Sequence, residues 1–189
     1  MPAPRTQNGL TVSELLTTLA IAAVLVGTAI PGISGLLNRA KADAAIEQLS
    51  RAIQFTRYQA ISLRTTATLC PGAGETCGRR DSWHEGATVF LDGNANGVRD
   101  GGEEVLQRLQ PLPAGYRARW RSFGNRSSLS MRPDGTTDWQ PGNMLVCPTD
   151  GDAQNARQLI VNAQGRVRVS RDSDGDGIVE DADGRPVSC

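Results

Sequence analysis

The chain has 189 residues with 20 basic and 20 acidic side chains, so no global field commits it to nucleic acid or to anionic lipid. Its 21 glycines and 10 prolines, set against few aromatics, favour short strands joined by turns and exclude both collagen and wholesale disorder. One histidine and one lysine speak against a self-sufficient enzyme, and once an apolar N-terminal segment is set aside the remainder is enough for one soluble domain.

From Leu10 to Leu37 the only ionisable side chain is Glu14, and the run lies between Arg5 and Arg39. That length spans a bilayer. One arginine precedes it, whereas Arg39, Lys41, Arg51 and Arg57 follow, so the positive-inside count leaves the orientation undecided. The run is long and no A-x-A site follows, which predicts a retained helix rather than a removed secretory signal. An unpaired carboxylate at Glu14 costs about 3 kcal/mol in lipid. It is either an incidental feature of a plain anchor or a group with a partner.

Gly9, Leu10, Thr11 and Glu14 resemble the start of type IV pilins and pseudopilins, whose leader ends in Gly and whose fifth mature residue is Glu. The resemblance implies cleavage by a prepilin peptidase after Gly9 and N-methylation of Leu10, which stands where Phe is usual. It also implies that Glu14 neutralises the terminal amine of a neighbouring subunit. Pro31 falls where many pilins carry a helix-kinking proline.

Beyond the apolar run, Ala42, Ile46, Leu49, Ile53 and Ala60 recur at helical spacing with charged residues between them, so one helix is predicted to continue to about Leu63. Its second half cannot bury this stripe alone and is the natural packing face for a sheet. From Thr65 the pattern becomes short β-rich runs, TATLC, ATVFL, EVLQRL, YRARWR, SSLSMR, MLVC, RQLIVN and RVRVS, separated by turn residues. The fold class is therefore α+β, a long helix followed by an antiparallel β domain, with two sheets expected on the helix. The organisation reads as leader 1–9, membrane part of the helix 10–37, amphipathic continuation 38–64 and periplasmic β domain 65–189 with an acidic tail.

The stretches 83–106 and 159–170 are similar to the GspH/FimT family, which joins the H pseudopilin of type II secretion to the FimT and FimU minor pilins. That resemblance implies a non-enzymatic subunit at or near the tip of a type IV pilus, supporting pilus biogenesis and DNA uptake. The alternative it carries is a pseudopilus tip subunit for protein export. Implied partners are other minor pilins or pseudopilins, the prepilin peptidase and the inner membrane, with a single span and a periplasmic C-terminal domain. No cofactor and no small-molecule substrate are implied.

Cys70, Cys77, Cys147 and Cys189 suit an exported, oxidised domain and formally allow three pairings. Cys70 and Cys77 enclose the turn-rich PGAGET, and Cys147 with Cys189 would staple the tail to a strand; these are the two expected bridges. Zinc is the rival reading, but there is no C-x-x-C and His84 is the only imidazole.

Two acidic stretches carry calcium-loop patterns. Asp92, Asn94, Asn96, Val98, Asp100 and Glu103 occupy the six ligand positions of a twelve-residue loop, yet strands are predicted on both sides and an Asx-rich turn fits equally. Asp172, Asp174, Asp176 and Asp183 repeat the pattern in the tail, with Glu180 between them; a solvated acidic loop is the alternative.

Arg117, Arg119 and Arg121 alternate onto one strand face, opposite Tyr116 and Trp120. Arg166 and Arg168 share another face near Arg171, with Val167 and Val169 expected to point inward. Paired guanidinium groups suit phosphates, and Gly165-Arg166-Val167-Arg168 matches a G-R-x-R element of FimT members that take part in DNA uptake. The plain alternative is an arginine-rich surface, since nearly every basic residue here is Arg. The acidic tail could cover Arg166 and Arg168 unless calcium neutralises it. No G-x-S-x-G or comparable nucleophile motif accompanies His84, so a hydrolase is not expected.

Overall fold

The computed structural model describes Gly9 and residues 11–189, apart from the side chains at 26 and 28–33. Leu10 lies outside the described residues, and so does the side chain of Pro31. The chain forms two compact units, one ending at Asn38 and the other comprising Arg39–Cys189.

Helix α1 runs over Val12–Leu63, through position 31. In the first unit its described side chains are exposed, among them Leu15, Leu16, Leu19, Ile21, Leu36 and Leu37. Among the described residues, no helix is long and apolar enough to cross a membrane.

In the second unit the last turns of α1 bury Ala42, Ala45, Ile46, Leu49, Ala52, Ile53 and Ala60, the stripe expected from i, i+3, i+4 spacing. Arg51 and Glu47 pair across the exposed face at 2.6 Å, a contact worth a few tenths of a kcal/mol at ~0.3–0.5. The helix stops at Leu63, followed by Arg64 in the left-handed region (φ 51°).

Eight strands follow: β1 Ala67–Pro71, β2 Ala87–Leu91, β3 Val105–Leu109, β4 Tyr116–Ser122, β5 Leu129–Met131, β6 Gly142–Pro148, β7 Arg157–Val161 and β8 Val167–Val169. They make two four-stranded antiparallel sheets, ordered β3-β2-β1-β5 and β4-β6-β7-β8. One core joins the helix stripe to the inner faces of both sheets, with Leu69, Val89, Leu129 and Met131 from the first and Trp120, Met144, Val146 and Leu159 from the second. Strand β1 is buried along its whole length, and Thr68 Oγ1, on the side away from Leu69, contacts Asp92 Oδ2 (2.7 Å) in the loop after β2 and Ser130 Oγ (2.8 Å) on β5.

The second sheet has a small core of its own. Leu145 on its outer face packs with Ala156 and with Val179 and Val187 of the tail, beside Cys147 and Ile178. The tail thus lies across the middle strands of that face, closed by the Glu180–Pro186 bridge and by Val187 N donating to Val179 O (3.0 Å). Disulfides join Cys70 to Cys77 and Cys147 to Cys189, with Cα separations of 5.5 and 5.7 Å. By chain entropy they contribute about 2.4 and 4 kcal/mol, the larger value belonging to the bridge that closes the longer loop.

Candidate functional site

Thr11 and Glu14 form a reciprocal cap at the start of α1. Glu14 Oε2 accepts from Thr11 N (2.8 Å) and Thr11 Oγ1 (2.7 Å), while Glu14 N donates to Thr11 Oγ1 at 3.3 Å. This is the T-x-x-E capping box, which satisfies backbone donors that the first helical turn leaves open. Gly9, two residues before it, is exposed with open space around its Cα.

Strand β4 alternates as expected, with Tyr116, Ala118 and Trp120 buried and Arg117, Arg119 and Arg121 exposed. Its register across the sheet sets Arg121, Asn143, Ile160 and Arg168 in one cross-strand row. The two arginine groups therefore share the outer face but sit on opposite edge strands, about 14 Å apart at ordinary strand spacing. The tail that covers Leu145 lies between them. Among the described residues, none of Arg117, Arg119, Arg121, Arg166, Arg168 and Arg171 forms an ion pair.

Gly165 of G-R-V-R has a structural cause. Its φ is +71°, and a Cβ there would stand 2.3 Å from Gly135 O and 3.0 Å from Arg57 Nε. The turn it closes also uses Asn162 Oδ1, which accepts from Arg166 N (2.9 Å). Val167 packs against the core, but Val169, expected to be buried, remains 41% exposed. The reason is that β8 has three residues and forms the sheet edge.

The two acidic loops differ. In the first, Asp92 is fully buried and its carboxylate accepts from Thr68 Oγ1 (2.7 Å), Asn96 N (3.0 Å) and Gly97 N (2.9 Å). Asp100 accepts from the amides of Asn94 and Asn96, which hold its carboxyl below the usual range, and Glu103 accepts from Gly93 N and Asp100 N. Asn96 Oδ1 accepts from Val98 N. Asp92, Asp100 and Glu103 do not converge as a metal-holding group among the described residues. In the tail, Asp172, Asp174, Asp176 and Glu180 do converge, their ligand oxygens lying within 4.8 Å of one another. Asp183, expected to complete the set, does not belong to it; its N–H instead donates to Asp181 and its carboxylate faces Arg185 at 3.8 Å.

A family model described as the type II transport protein GspH matches residues 45–165. The chain belongs to the GspH family. The pilin-like protein PilA1 of Thermus thermophilus is 31% identical over 171 residues, which cover 87% of this chain and 99% of that protein. In fold the chain is similar to the minor pilin FimU of Pseudomonas aeruginosa, with TM-score 0.56 at 18% identity over 70% of this chain and 90% of that one. It is also similar to the minor pseudopilin EpsH of Vibrio cholerae, with TM-score 0.50 at 10% identity over 68% and 95% of the two chains. As a member of this family of pilin and pseudopilin subunits the chain is a structural protein, not an enzyme, and needs no cofactor.

Within this GspH-family domain, sequence reasoning passed over two features. Arg79 and Arg80, in the segment after the first disulfide, line one open groove with Arg119 and Arg121, and Arg80 is held by the side chain and carbonyl of Asn125. Their adjacent pairing in GRRD was the available signal. Phe123 and Trp139, 74% and 78% exposed, border one apolar depression with Pro141, Ala163 and Gln164. Isolated aromatics in turn-rich sequence carry no comparable signal.

Proposed function

We propose that this chain is a minor pilin of a type IV pilus, assembled at or near its tip and supporting pilus biogenesis. Residues 10–37 anchor it in the bacterial inner membrane before assembly, with the β domain in the periplasm. A prepilin peptidase cuts after Gly9, Leu10 becomes the methylated N-terminus, and Glu14 meets the amine of a neighbouring subunit. The observation that carries this reading is the exposed leucine-rich surface of α1 before Asn38, which needs lipid or the helices of other pilins to cover it. The depression bordered by Phe123 and Trp139 offers those subunits a second, aromatic contact.

DNA capture is the finer part of the proposal. Arg168 on one edge strand, and Arg117, Arg119 and Arg121 on the other, present phosphate-binding forks from strands, with Arg166 in the turn before β8 and Arg79 in the loop after the first disulfide beside them. Each patch is small, so binding by one subunit is weak, salt dependent and strengthened by repetition along a filament. A second reading, the H subunit of a type II secretion pseudopilus, is favoured by the family model that matches the domain.

A deletion strain complemented with wild type or with Arg166→Ala/Arg168→Ala separates these readings. Loss of pili on deletion is the expected result, with pili restored but transformation lowered in the double variant. Normal piliation with exoenzymes trapped in the periplasm would overturn the pilus assignment in favour of secretion; undiminished transformation in the variant would remove DNA capture at G-R-V-R.

A further inference from the structure

We infer that the C-terminal tail is a calcium site built from Asp172, Asp174, Asp176 and Glu180. The four carboxylates converge within 4.8 Å of one another. Oxygens on opposite sides of one calcium ion stand about 4.6–5.2 Å apart, at bond lengths of about 2.3–2.6 Å. Convergence alone describes many acidic surfaces, and Glu180 is what distinguishes this one. It is only 8% exposed, and its Oε1 is buried with no hydrogen-bond partner, while Oε2 accepts from Ser173 N at 2.8 Å. A buried carboxylate oxygen without a donor is a costly arrangement that a cation relieves. Among the described residues no arginine or lysine forms an ion pair with any of the four.

The backbone holds the set in place. Asp172 accepts from Gly175 N (2.7 Å) and Gly177 N (2.9 Å), Asp174 from Asp176 N (3.2 Å), and Asp176 from Ile178 N (2.7 Å). Glu180 is fixed by a different device, the bridge to Pro186 beside the buried Val179 and Val187. The loop at Asp92 is the internal contrast: its sequence is closer to a calcium loop, but its carboxylates do not converge among the described residues. An all-carboxylate set excludes the softer metals that favour nitrogen and sulfur. Four acids also suit calcium better than magnesium, which usually keeps several waters and takes one or two carboxylates. Since Val179 and Val187 dock the same segment on the second sheet, the ion ties the tail to that sheet together with Cys189. This inference does not depend on whether the chain serves a pilus or a secretion pseudopilus.

The test uses the full chain in detergent micelles, disulfides intact and stripped with EDTA, titrated calorimetrically with calcium chloride and followed by thermal unfolding in calcium or magnesium. One equivalent is expected to bind with a dissociation constant of about 10⁻⁴–10⁻³ M, as in other extracellular modules, and to raise the melting temperature. Asp174→Asn/Asp176→Asn, on exposed positions that do not endanger folding, should weaken binding at least tenfold, as should Glu180→Gln. Asp100→Asn/Glu103→Gln should leave it unchanged. No heat and no thermal shift at 10-fold above that range would overturn the inference. So would equal shifts in magnesium and calcium, binding that survives the tail variants, or binding lost in the Asp100/Glu103 variant.

Discussion

Replacing Gly165 by alanine tests whether the glycine of G-R-V-R serves the fold or the ligand. The added methyl would sit 2.3 Å from Gly135 O and 3.2 Å from Arg57 Cδ, at a φ of +71°. The backbone conformation costs an L-residue about 1–2 kcal/mol. Relieving the clash requires the Gly135 carbonyl to move away from Arg57 Nε, which now donates to it at 2.8 Å, and a partly buried bond to a charged donor is worth about 1.5–3 kcal/mol. Gly165→Ala should therefore destabilise the domain by about 2.5–5 kcal/mol. Urea unfolding of the full chain in micelles, with disulfides intact, measures it directly. Arg166→Ala/Arg168→Ala, at exposed positions with no ion pair among the described residues, should change the same unfolding free energy by less than about 0.5 kcal/mol. A Gly165→Ala variant as stable as wild type would refute the close packing of this turn on Gly135. A large loss in the arginine variant would show that these side chains support the fold and are not simply presented to a partner.

Three other outcomes follow from the geometry. Cys147→Ser/Cys189→Ser should cost about 4 kcal/mol and open the tail to limited proteolysis before the rest of the domain, whereas unchanged stability would mean that Val179 and Val187 hold the tail unaided. Glu14→Gln keeps a side chain able to complete the capping box but removes its charge, so helix content should persist while incorporation into filaments falls; normal incorporation would leave Glu14 as a cap alone. Glu75 accepts from Arg99 at 3.0 Å and also faces Arg108 at 3.1 Å, and this pairing lowers its carboxyl from the ordinary 4.5. Because the folded value is the lower one, its stabilising effect is present above 4.5 and is lost as pH falls through the lowered value. Acid unfolding should therefore be less steep in Glu75→Gln, and superimposable acid curves would remove this pair as a contributor.

Much of the architecture was legible locally. The spacing of Ala42, Ile46, Leu49 and Ile53 predicts the buried stripe of α1, and each of the eight strands overlaps one of the β-rich runs read after Thr65, with β1, β4 and β6 extending past theirs. The alternation of YRARWR predicts which face of β4 is buried, because side-chain direction in a strand depends only on parity. The four cysteines are likewise a compositional signal, whereas the capping of α1 by Thr11 and Glu14 was read only from the structure. Sequence alone therefore determined the class of the long helix and the strands, which side of α1 and of β4 faces inward, and the resemblance to a pilin-like family. What it could not decide depended on chain segments distant from one another. Asp92 loses its availability to Thr68, 24 positions away, and Glu180 replaces Asp183 because the bridge to Pro186 and the packing of Val179 bury it beside the three aspartates. The distance between the two arginine groups is likewise set by sheet order. Periodicity reports a residue's relation to its own element, whereas ligand convergence and surface continuity are set by strand order and loop closure, and those exist only once the core has assembled.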